Sequence, residues 1–153
     1  MTNKFLARYP QSRFQSMQRA GLALYGANAT WDGTNALPED ADGILTANEV
    51  ARLDLTHTQL AVLSACQTAV GYASQEGVFG THRGFKQAGV RSILATLWNV
   101  NDRSTAILME TFYKEWLEGK PMQQALHDAV NALRKVYSHP FYWAPYVMID
   151  GVD

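Results

Sequence analysis

The chain has 153 residues, enough for one domain with a sizeable core; 47% are apolar and 18% charged, and the formal net charge is −1. That balance argues against a nucleic acid or an anionic membrane as a partner recruited by bulk charge. No apolar run approaches the roughly 20 residues that a spanning helix needs. A single cysteine cannot close an internal disulfide, which fits a reducing compartment, and a cytoplasmic location is the expectation.

Residues 1–19 show no clean periodicity and read as a poorly ordered lead-in. Lys4, Arg8, Arg13 and Arg19 give it a basic bias without the apolar core of a secretory signal. Gly21 to Asn28 is a short apolar piece bracketed by glycines, suited to a strand or a buried turn. From Thr30 to Asp42 the composition shifts to Trp, Asp, Gly, Asn, Pro and Glu, a loop composition. Thr46 followed by Glu49 has the form of a capping box and predicts a helix start, with Val50 and Leu53 on its apolar side.

Leu60 to Ser64 is nearly all apolar, as in a parallel strand covered on both faces. It runs into Cys66. An apolar strand that ends near a reactive side chain is how open α/β sheets build sites, so the lone cysteine is a candidate nucleophile if a histidine can reach it. Val78, Phe79, His82, Phe85 and Ala88 then recur at helical spacing, and Gly89 stands where a C-terminal cap belongs. Ile93 to Trp98 supplies a second buried strand, completing a βαβ unit.

Asn101 or Asp102 can cap the next helix, whose stripe is Ile107, Leu108, Phe112 and Trp116 and whose end is marked by Gly119. Pro121 suits the first turn of another helix, with Met122, Ala125, Leu126, Ala129, Val130 and Leu133 on one face. Phe141 to Ile149 is aromatic and β-rich, but Pro145 interrupts it. That predicts an edge strand or one that starts after the proline.

These blocks together resemble the CHAT domains, caspase-like and separase-like cysteine peptidases often attached to tetratricopeptide-repeat (TPR) arrays. Ser64-Ala65-Cys66-Gln67-Thr68 is similar to the family's signature around the nucleophile, and Asp42 to Val50 to the segment upstream of it. Gly77 to Gly80, Arg83-Gly84-Phe85 and Ala88-Gly89-Val90 resemble the following helix. Leu97 to Asp102 resembles the end of the next strand, with Thr96 where the family has serine, and Tyr142 to Ile149 resembles the closing strand. The likeness runs from about Gln18 to Gly151.

The resemblance implies a caspase-like three-layer α/β/α sandwich in which residues 20–153 form a partial CHAT domain. It implies peptide-bond hydrolysis through Cys66, whose backbone N–H is also an oxyanion donor, and no cofactor or metal. The family's catalytic histidine sits in a His-Gly element before the piece matched by Gly21 to Asn28, whereas His57, His82, His127 and His139 all follow that piece. The chain is therefore expected to represent the C-terminal, nucleophile-bearing part of such a domain, truncated before its early strands and inactive alone.

His82 is the only histidine placed to substitute as base, although its position beside Phe79 and Phe85 equally makes it a packing residue. By analogy with caspase-like folds, Trp98 could wall the substrate site and Asp102 could receive a basic side chain; their plain alternatives are a core residue and a helix cap. Glu76 could border the cleft or cap its helix. The implied partners are a protein or peptide substrate, the N-terminal part of the same domain, TPR-bearing proteins or a second copy. A non-catalytic interaction module on the same scaffold is the rival reading.

Overall fold

A computed structural model describes residues 20–28, 42–63 and 75–150, with the backbone alone for residues 75–79. They fall into two compact units, residues 20–28, 42–59 and 75–91 in one and residues 60–63 and 92–150 in the other. The expected lead-in, the loop from Thr30, and the segment carrying Cys66 lie outside the described residues.

In the first unit, strand β1 (Gly21–Ala23) pairs antiparallel with β2 (Ile44–Thr46), with Leu22 opposite Leu45. Helix α1 (Ala47–Val50) follows directly. Its start is the capping box read from the sequence. The Thr46 hydroxyl accepts from the Glu49 N–H at 3.2 Å, and the Glu49 carboxylate accepts from the Thr46 N–H at 2.7 Å and from its hydroxyl at 2.8 Å. Two donors that a helix start leaves orphaned are satisfied this way.

Helix α2 (Gln75–Gln87) packs on α1 and β1. The close approach depends on Gly84: an ideal Cβ there would lie 2.4 Å from the Ala47 carbonyl oxygen. Only glycine lets the two backbones come this near. The end of α2 is a Schellman motif. Gly89, at φ +102°, donates to the Lys86 carbonyl at 3.0 Å and Val90 donates to the Phe85 carbonyl at 3.1 Å.

The second unit is built on a mixed sheet in the order β3 (Leu60–Leu63), β4 (Ser92–Thr96), β5 (Tyr146–Asp150). β3 and β4 run parallel with Leu63 opposite Ala95, and β5 returns antiparallel with Thr96 opposite Tyr146. All five residues of β4 are buried, as a central strand requires. The four residues of β3 are only half-buried, where the sequence predicts cover on both faces. Among the described residues β3 pairs with β4 alone and stands at the edge of the described sheet.

The expected second strand stops at Thr96 instead of reaching Trp98. In the antiparallel register Leu97 falls opposite Pro145. The Leu97 N–H donates to the Pro145 carbonyl at 3.0 Å, but proline has no N–H to return the bond, and the ladder ends. The closing strand begins after that same proline, as its sequence predicts.

Helices α3 (Asp102–Leu117) and α4 (Met122–Val136) pack against each other and close the core of this unit. Leu108 and Phe112 from α3, Ala125, Ala129 and Leu133 from α4, and Leu94 from β4 are all at most 1% exposed. Asn101 is the cap of α3: its side-chain oxygen accepts from the N–H groups of Arg103 at 3.1 Å and Ser104 at 3.2 Å. Gly119 ends α3 with the same pair of bonds seen at Gly89, and Lys120 then ties the turn by ion pairs to Glu115 and Asp128. The molecule is thus an α/β protein. None of its described helices is long and apolar enough to cross a membrane.

Candidate functional site

Because β3 and β4 are parallel, their carboxyl ends lie at the same end of the sheet, which is where open α/β folds place their chemistry. β3 ends at Leu63, just before the Ser64–Thr68 block in the chain, and β4 ends at Thr96, just before Trp98. The side-chain geometry of Cys66 lies outside the described residues.

Trp98 is half-buried in the segment between β4 and α3. Its indole N–H donates to the Phe141 carbonyl at 3.1 Å, and its ring stacks on Phe141 with centroids 6.4 Å apart and planes 26° apart. It is not part of the fully buried core. Asp102 is the first residue of α3 and is exposed; the capping that the sequence offered to either residue falls to Asn101. A carboxylate in the first turn is nonetheless favourably placed against the helix dipole. Glu76 stands second in α2.

His82 lies within α2 and is 9% exposed, with its Nδ1 buried and without a hydrogen-bond partner among the described residues. Burial holds its pKa below the usual histidine value, because desolvation penalises the imidazolium. An enclosed ring whose Nδ1 has no partner among the described residues differs from the usual general base, whose other nitrogen is held by a third group. The neighbouring Thr81 hydroxyl is likewise buried and unpartnered. His57 and His127 are exposed, and His139 caps a short 3-10 turn (Pro140–Tyr142), accepting from the Phe141 N–H at 3.2 Å.

The structure also joins residues that sequence reasoning left apart. From Trp98 the aromatic contacts run on through Phe141 to Tyr142, whose ring meets Phe141 edge-on at 5.5 Å. They end at Tyr137, stacked on Tyr142 at 4.7 Å. Arg134, one turn earlier on α4, lies 4.6 Å over the Trp143 ring. The density of aromatic residues from Tyr137 to Trp143 was the available signal, but it reads equally well as strand composition. No group of three or more possible metal ligands occurs among the described residues.

The chain matches the CHAT domain over residues 7–151, nearly its whole length, and it belongs to the CHAT domain family. It is also similar to tetratricopeptide repeat protein 28 of Mus musculus, at 32% identity over 110 residues, covering 71% of this chain. Those residues span 4% of that protein's length.

Proposed function

We infer that this chain carries the nucleophile-bearing part of a CHAT-type cysteine endopeptidase, with Cys66 as the nucleophile on a caspase-like three-layer sandwich. The observation that carries the reading is the parallel β3–β4 pair in a family member whose single cysteine follows β3. A free thiol near pKa 8.5 is only a few per cent thiolate at neutral pH, so efficient attack needs a base. The Cys66 N–H supplies one donor to the oxyanion that forms, and a second must come from elsewhere.

The burial of His82 and the lack of a partner for its Nδ1 among the described residues support its assignment to packing rather than to proton transfer. We assign the base to a histidine-bearing segment supplied from outside residues 20–153, which pairs with β3 along the edge that β4 leaves open among the described residues. Without that segment the chain is inactive, since members of a catalytic unit fail together. In this reading Trp98 walls the substrate site and Asp102 receives a basic side chain.

Labelling tests the reading. The chain is incubated with a peptide acyloxymethyl ketone bearing a basic first residue, with and without a supplied His-Gly-bearing segment, and analysed by intact mass. The expected result is one adduct, dependent on the added segment, absent in Cys66→Ala and retained in His82→Ala. An adduct that requires His82 would reassign the base. No adduct under any condition would favour the second reading, a non-catalytic module. The name of the mouse relative makes a TPR-bearing protein the first partner to test for such a module.

A further inference from the structure

The aromatic run from Trp98 to Tyr137 is more solvent-facing than a core needs. Phe141 is 45% exposed, Leu97 beside Trp98 is 58% exposed, and Val136 beside Tyr137 is 61% exposed. Isolated apolar residues on a surface mean little, but a run linked ring to ring marks an interaction surface. Its members are tied to one another: Trp98 bonds to the Phe141 backbone, and Tyr142 packs between Phe141 and Tyr137.

The charges beside the run have one sign at its α4 end. Arg134 and Lys135 occupy the last turn of α4, both exposed, directly before Val136 and Tyr137. Aromatic residues and arginine are the types enriched at protein-binding surfaces. Two cations on a chain of net charge −1 release too few counterions to hold a nucleic acid or a charged bilayer. They are enough to orient a short acidic peptide.

We propose that the surface formed by Phe141, Tyr142 and Tyr137, bounded by Trp98 at one end and by the basic last turn of α4 at the other, is a docking site for an extended acidic peptide carrying one aromatic anchor residue. The anchor ring packs on the exposed face of Phe141, and the flanking carboxylates face the end of α4. The inference concerns binding alone and does not depend on any chemistry at Cys66.

The test uses the full chain carrying Cys66→Ala, so that no probe is cut, and fluorescence anisotropy with labelled peptides. The probes are Glu-Glu-Phe-Glu-Glu, its analogue with alanine in place of phenylalanine, and Lys-Lys-Phe-Lys-Lys. The first should bind at least about tenfold more tightly than either of the others. Phe141→Ala should raise its dissociation constant about tenfold, as loss of a central aromatic contact does. Phe141→Leu should recover most of the affinity, and Lys135→Glu should weaken binding by about threefold.

Phe141 is nearly half exposed and its carbonyl, which Trp98 uses, survives substitution, so far-UV circular dichroism should be unchanged in both Phe141 variants. Equal binding of the acidic and basic peptides would overturn the proposal, as would wild-type affinity in Phe141→Ala. Preferential binding of phosphatidylserine vesicles or of oligo(dT), abolished by Phe141→Ala, would assign the surface to a membrane or a nucleic acid instead.

Discussion

Replacing Gly84 with alanine sets two physical effects against each other. Helix propensity alone favours the change by about 1 kcal/mol in a helix interior. The close approach of α2 to α1 opposes it. The new Cβ would sit 2.4 Å from the Ala47 carbonyl oxygen and 3.1 Å from the Ala47 Cα and carbonyl carbon. All three are backbone atoms, so no rotamer change relieves the contact. Restoring an ordinary separation requires the helices to part by about 1 Å, which forfeits a large share of the dispersion contacts along the rest of the interface. Overpacking of this kind costs roughly 1–3 kcal/mol, and a clash with backbone belongs at the upper end. The net expectation is a loss of about 2 kcal/mol. With a urea slope near 2 kcal/mol per molar for a protein of this size, the midpoint should fall by about 1 M. Urea titration followed by far-UV circular dichroism reads it directly. A midpoint unchanged or raised in Gly84→Ala would show that α1 and α2 do not pack as described.

Three other perturbations have expected signs. Thr46→Ala removes the hydroxyl that accepts from Glu49 and should cost about 1 kcal/mol, measured in the same titration. Phe112→Ala empties a fully buried site and should cost roughly 3–5 kcal/mol, read as a fall in melting temperature and a lower yield of folded protein. His82 makes stability depend on pH in one direction. Its folded-state pKa is lowered from 6.5, so well above that value the ring is neutral whether the chain is folded or not. As the pH falls below 6.5, the unfolded chain takes up a proton that the folded one resists, and stability is lost. Melting temperatures measured from pH 8 down to about pH 5 should decline less in His82→Leu than in the wild type, and parallel curves would exclude His82 as the cause.

Much of this was legible because local chemistry and tertiary packing agree. Thr46 and Glu49 specify a capping box from three residues of spacing alone, and Gly89 and Gly119 mark helix ends because glycine adopts positive φ most readily. The stripe from Ala125 to Leu133 needed only a 3.6-residue period to place it in the core. The sequence was less decisive where function depends on meeting rather than on period. Nothing in the local pattern of Trp98 indicates that its indole N–H reaches the carbonyl of Phe141. That contact is made by the return of β5 alongside β4, which only the sheet register reveals. The half-burial of β3 was illegible for the same reason, since an edge strand and a central one can have the same composition. Cys66 was identified by its place in a motif, and its role is a matter for the labelling experiment.

Pro145 determines more than where a strand begins. A residue with an amide hydrogen at that position could bond back to Leu97, and the zipper between β4 and β5 could run one pair further. The missing proton on one nitrogen thus leaves the Leu97–Pro145 pair with one backbone bond in place of two, and just past it the Trp98 indole ties the chain to the Phe141 carbonyl instead.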